Sequence, residues 1–300
     1  MKPTPILLKQ LENEKGPTDV SRQKALVSKY GFSYHQAIGG LLFAAVTCRP
    51  DIIFYVIKLS QYSTTPADHH FLAVKNSYRY LRTAIDHGII YWRKCPQEDL
   101  PDKPPPDLRN DTESDVSLIK NAEIPTAFVG SDWAGDTATR KSVSGTTLYM
   151  AGGPIIYRSR QQPTVSLSST EAEFIAALDA GRSILYLRSI LDDLDIDISA
   201  ATDMFINNAG ARQMANAQCP TLRTRHLNLR YFSLLEWIDN NLIIFKEANT
   251  KDNSSDIFTK VLNCILFLRH KYLIMGWRKP MYTTQKEKNI QTPAQLTTYE

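Results

Sequence analysis

The stretch Val143-Ser144-Gly145-Thr146-Thr147-Leu148-Tyr149-Met150-Ala151-Gly152-Gly153-Pro154-Ile155-Ile156-Tyr157-Arg158 decides the fold. Two runs rich in β-branched and aromatic residues flank a glycine turn, the pattern of a β-hairpin. Downstream, Ser168-Ser169-Thr170-Glu171 offers hydroxyls to cap a helix and acid for its first turn. Phe174, Ala177, Leu178, Gly181, Ile184, Leu185, Leu187, Leu191 and Leu194 then share one broad apolar face. A long helix packed on a hairpin-containing sheet is therefore expected.

Working outward, Ala127-Phe128-Val129 reads as a strand before the hairpin. Behind the long helix, Met204-Phe205-Ile206 and Leu242 to Lys246 read as strands, with helices over 208–217, 226–238 and 254–262. A hairpin followed by alternating helices and strands implies an α/β fold, a mixed sheet flanked by helices. Toward the N-terminus, Ile38-Leu41-Leu42-Ala45, Ile52-Ile53-Val56-Ile57 and Leu72-Val74-Tyr78-Leu81 recur at helical spacing, broken at Arg49-Pro50 and Thr65-Pro66. This is a small, mostly helical module, and Gly88-Ile89-Ile90-Tyr91-Trp92 reads as a strand that closes it. Between the modules, residues 94–124 hold five prolines and eight acidic residues against four basic ones, the composition of a linker. The expected organisation is an extended segment 1–29, a helical module 30–93, the linker 94–124, an α/β domain 125–277 and a polar tail 278–300.

Three hundred residues with 43% hydrophobic and 22% charged side chains suffice for a substantial core. The longest apolar runs fall short of the roughly 20 residues that span a bilayer, so no membrane partner is expected. Met1-Lys2-Pro3-Thr4-Pro5 lacks the pattern of a secretory signal, which favours an intracellular setting, cytoplasm or nucleus. Cys48, Cys95, Cys219 and Cys264 are too scattered for a zinc site or a disulfide framework, and no disulfide-linked partner is expected. A net charge of +4 is compatible with phosphate contacts without requiring them, so any nucleic-acid role must rest on motifs.

Those motifs are Gly130-Ser131-Asp132-Trp133-Ala134-Gly135-Asp136, Arg140-Lys141-Ser142-Val143-Ser144-Gly145, Ser168-Ser169-Thr170-Glu171-Ala172-Glu173-Phe174, Thr224-Arg225-His226 and Asp256-Ile257-Phe258-Thr259-Lys260, in that order. Together they resemble the ribonuclease H region of copia-type retrotransposon Pol polyproteins. Tyr34-His35-Gln36-Ala37-Ile38-Gly39-Gly40-Leu41-Leu42 and Thr47-Cys48-Arg49-Pro50-Asp51-Ile52 are similar to the segment that follows the polymerase palm there. The resemblance covers about residues 30 to 277 and implies a ribonuclease H-like domain preceded by a reverse transcriptase thumb- or connection-like remnant. The paired aspartates of a palm are missing before residue 100, so polymerase activity is not expected.

The resemblance also implies the chemistry: cleavage of the RNA strand of an RNA–DNA hybrid by two Mg²⁺ ions held by four carboxylates. One acid belongs on the first strand, and this chain has Gly130 there. The helix acid matches Glu173. The third should follow the strand 204–206, where the chain reads Asn207, and the fourth matches Asp256. Two of four carboxylates remain, so metal binding and nuclease activity are expected to be degenerate. An active enzyme with shifted ligands is the alternative, with Asp132 in place of Gly130 or Asp203 in place of Asn207. Strand geometry sets residues 130 and 132 about 7 Å apart on one face, which argues against the first exchange. Arg223, Arg225, His226 and Arg230 form a basic cluster for phosphate contacts, so an inactive nucleic-acid-binding module is a further alternative. Trp133, Tyr231 and Trp237 are expected in the core rather than stacked on bases.

Overall fold

In the computed structural model the described residues are 15–91, 124–208, 210, 228–248 and 252–276. Five strands form one mixed sheet: β1 (Thr126–Asp132), β2 (Val143–Met150), β3 (Gly153–Gln161), β4 (Thr202–Ile206) and β5 (Ile243–Glu247). Their order is β3-β2-β1-β4-β5. β1 to β3 are a meander of antiparallel pairs, whereas β4 runs parallel to both β1 and β5. The expected α/β sheet flanked by helices is thus present, and the hairpin turns where the glycines lie, with Ala151 and Gly152 both at positive φ.

One face of the sheet is covered by α5 (Ser169–Asp193) and α6 (Asn228–Asp239). Ala127 and Val129 of β1, Leu148 of β2, Met204 and Ile206 of β4 and Ile243 of β5 pack there against Phe174, Leu178, Ile184 and Leu187. The start of α5 is fixed as its sequence demands: Ser168 Oγ accepts from the Glu171 amide at 3.1 Å, and Glu171 accepts from the Leu167 amide at 2.7 Å. Gly181 sits mid-helix because Trp237 of α6 lies against it; a Cβ there would be 2.4 Å from the indole.

The opposite face carries the helical module, α1 (Val20–Tyr30), α2 (Tyr34–Thr47), α3 (Ile53–Ser60) and α4 (Asp68–Thr83), together with α7 (Cys264–Ile274). Phe128, Tyr149 and Phe205 present aromatic rings to this side, in one apolar cluster with Leu41, Ile52, Tyr55, Leu59, Phe71, Phe258 and Phe267. Alternation along β1 thus feeds two cores at once, which is why its residues read as a continuous apolar run.

Several expectations change. The extended segment expected over 1–29 instead holds most of α1 from Val20 onward, capped by the Asp19 side chain and ended by Gly31 in the left-handed region. Residues 88–90 are not a strand; the Ile90 amide donates to the Met275 carbonyl instead. The stretch 254–262 contains only a short 3₁₀ turn, Ser254–Phe258. Apart from residues 208, 210 and 124, the helix expected over 208–217, the linker 94–124 and the tail 278–300 lie outside the described residues. Among the described residues, Cys48 and Cys264 are free thiols, and no helix is long and apolar enough to cross a membrane.

Candidate active site

Sheet register assembles the site. Val129 of β1 pairs with Ile206 of β4, and one step further along these parallel strands are Gly130 and Asn207. On its other side Gly130 pairs with Gly145 of β2. From one face, α5 delivers Glu173, whose Oε1 accepts from the Ser131 amide at 3.1 Å. From the other face, the 3₁₀ turn brings Asp256 so close that a Cβ at Gly130 would be 3.7 Å from its Oδ1. Gly130, Glu173 and Asp256 thus lie near one end of β1, Asn207 is the residue that follows Ile206 where β4 ends, and only two of the four are acids.

The two acids are buried and unlike in their surroundings. Glu173 is 6% exposed, and its Oε2 is buried without a hydrogen-bond partner. Burial pushes its carboxyl up to about 7; the Ser131 amide works against this, and the nearby Asp256 charge adds to it. Asp256 is 5% exposed and pairs with Lys260 one helical turn later, Nζ to Oδ2 2.7 Å. Burial raises its carboxyl above the usual range while Lys260 holds it down.

The two stand-in acids are placed differently. Asp132 folds over the loop that follows β1, so close to Gly135 that a Cβ there would lie 1.7 Å from its Oδ2. Its carboxyl is raised by burial, opposed by Lys260 and then pushed further by Asp256. Asp203 sits at the far end of β4 and pairs with Lys246 of β5 at 2.6 Å. Among the described residues, no group of three or more His, Cys, Asp or Glu is arranged to hold a metal. Trp133 is not a core residue: it is 49% exposed, with its indole N–H donating to the Ser166 carbonyl at 3.0 Å. Trp237 is partly buried against α5 as expected. Arg223, Arg225 and His226 lie outside the described residues, as do the side chains of Arg230 and Tyr231.

Three neighbours went unrecognised in the sequence. Lys260 carried a signal, since it stands four residues after Asp256. Asn253 carried one as well, as a capping residue before the turn; its Oδ1 accepts from the Ser255 amide at 3.1 Å. Ser255 carried none, because its contact with Gly130 spans more than a hundred residues of chain.

No family model matches the chain. Against curated proteins it is 28% identical over 253 residues to the retrovirus-related Pol polyprotein from transposon TNT 1-94 of Nicotiana tabacum, covering 84% of this chain and 17% of that protein. A second relative, the retrovirus-related Pol polyprotein from transposon RE2 of Arabidopsis thaliana, is 29% identical over 234 residues, 78% of this chain and 14% of that protein. Over most of its length this chain is similar to retrovirus-related Pol polyproteins of plant transposons. It spans about a sixth of the length of these Pol relatives. Among solved structures, LC11-RNase H1 matches with a TM-score of 0.36 and 10% identity over 46% of this chain and 93% of that one.

Proposed function

We propose that this Pol fragment carries a ribonuclease H-like domain whose ancestral task was cleaving RNA in RNA–DNA hybrids, and that its own centre is catalytically degenerate. The observation that carries this reading is that Gly130 lies against Asp256 and beside the Glu173 contact at one end of β1, with Asn207, not an acid, following the end of the neighbouring β4. Hydrolysis by two Mg²⁺ ions needs clustered anionic oxygens, because these small cations give up water reluctantly. The donor set does not fit. Glycine offers no ligand, an amide replaces the third carboxylate, and Asp256 already neutralises the Lys260 ammonium. Glu173, with a carboxyl near 7, carries only part of a charge at neutral pH.

The test is Mg²⁺-dependent cleavage of an end-labelled RNA–DNA hybrid. The unaltered chain is expected to match Glu173→Ala at background. Robust turnover that Glu173→Ala abolishes overturns the reading in favour of shifted ligands. Hybrid binding that weakens with salt, without cleavage, favours an inactive nucleic-acid-binding module.

A further inference from the structure

Resting on that reading, we propose that the pocket left by the lost first-strand acid has been closed from within, with Asn253 and Ser255 as positioning residues that lock the 254–258 turn onto the sheet. A Cβ at Gly130 would stand 2.6 Å from Ser255 Oγ, 3.4 Å from Asn253 Nδ2 and 3.7 Å from Asp256 Oδ1. Only the serine contact is impossibly short, so Ser255 alone excludes a side chain at position 130.

Its hydroxyl is not free to swing away. Ser255 Oγ donates to Asn253 Oδ1 at 2.7 Å, and Asn253 Nδ2 donates to the Val129 carbonyl of β1 at 2.7 Å. Both residues are fully buried, so either bond broken leaves a polar group without water. The clasp extends across the sheet. Tyr149 of β2 donates to Ser254 Oγ at 2.9 Å, and Ser159 of β3 donates to the Phe258 carbonyl at 2.6 Å. Beneath the turn, Gly145 repeats the geometry of its partner Gly130: a Cβ there would be 2.6 Å from the Ser255 carbonyl oxygen and from Thr259 Cγ2. Two paired glycines thus form a floor on which the turn rests, held by polar contacts to three strands.

The consequence is mutual exclusion. An acid at 130 and a hydroxyl at 255 cannot share this space, so the metal ligand cannot be restored by one substitution. Thermal melting of the purified chain tests this with the smallest probe, Gly130→Ala, which adds only the Cβ. It is expected to lower Tm by about 5 °C in the unaltered chain. In a Ser255→Ala background the same change is expected to cost less than about 1 °C, the non-additivity of two groups that touch. Equal losses in both backgrounds overturn the proposal, as does a Gly130→Ala chain that fails to fold with and without Ser255→Ala. A second arm measures bound Mn²⁺ by electron paramagnetic resonance in Gly130→Asp/Asn207→Asp, with and without Ser255→Ala. Binding only in the variant lacking the hydroxyl is expected; binding with Ser255 in place, or in neither, overturns it. Cleavage by the unaltered chain bears on the degenerate centre alone, so the two readings fail separately.

Discussion

Glu173 shows what a carboxylate does when its surroundings no longer favour charge. One oxygen keeps a single amide partner, the other has none, and the side chain is 6% exposed. The folded state therefore holds the proton more tightly than an unfolded chain, about 7 against an ordinary 4.5. The sign follows: between pH 4.5 and 7 the folded form binds the extra proton, so this group's contribution to stability falls as pH rises through that window and stays low above it. Glu173→Gln keeps the amide's acceptor and removes the charge. It is expected to raise the free energy of unfolding by on the order of 3 kcal/mol at pH 8 and to change it little at pH 4.5. Urea titrations at the two pH values decide the matter; an equal effect at both means that burial of charge is not what distinguishes this residue.

At the scale of elements, the contact of α5 with α6 turns on Gly181, where the Trp237 ring occupies the space of a side chain. Ala is the better helix former by about 1 kcal/mol. Gly181→Ala is nonetheless expected to destabilise by about 1–3 kcal/mol, because overpacking outweighs propensity. A red-shifted indole emission should accompany the loss, and a gain in stability would mean that α6 simply moves aside. The elements around this contact were legible because they follow simple periods: the hairpin 143–158, the capped start of α5, and strands 204–206 and 242–246 all lie where alternation and helical spacing place them. Motif order singled out Gly130, Glu173 and Asp256, and the sheet and its flanking elements set these three near one end of β1. What escaped was α7, because Arg269, His270 and Lys271 interrupt its apolar pattern. These three are nonetheless buried, and the two cations pair with carboxylates far off in sequence, Arg269 with Asp252 and Lys271 with Asp51. Charge normally marks a solvated face, and only the tertiary partners reverse that inference.

For the whole molecule, those pairings join the helical module to the sheet. Asp51 is fully buried, with Arg49 Nε and Nη2 on its two oxygens at 2.9 and 2.8 Å, the Tyr80 hydroxyl at 2.5 Å and Lys271 Nζ at 3.6 Å. The Arg49 pair holds its carboxyl down to about 2 against the opposing effect of burial. Asp51→Asn strands two buried cations and is expected to cost about 3–5 kcal/mol. Since Phe128, Tyr149 and Phe205 share one core with the module, the loss should move the Trp237 fluorescence transition on the far face together with the helical signal. Separate transitions would mean that the module unfolds alone.

A pH titration probes the same joint from α7. His270 is 1% exposed, its Nδ1 lacks a partner, and burial with the Arg269 and Lys260 charges pushes its pKa down to about 3, Asp252 opposing. The folded state thus needs neutral imidazole, while an unfolded chain takes up the proton near 6.5. Stability from this group is complete above pH 6.5 and is lost as pH falls toward 3. His270→Phe keeps the ring and cannot titrate. Relative to the unaltered chain, the variant should gain about 2–3 kcal/mol between pH 7.5 and pH 4.5. Because Glu173 is present in both chains, its opposite slope cancels in the comparison. A difference that stays constant over this range would mean that the imidazole finds solvent, and that α7 is not sealed against the module.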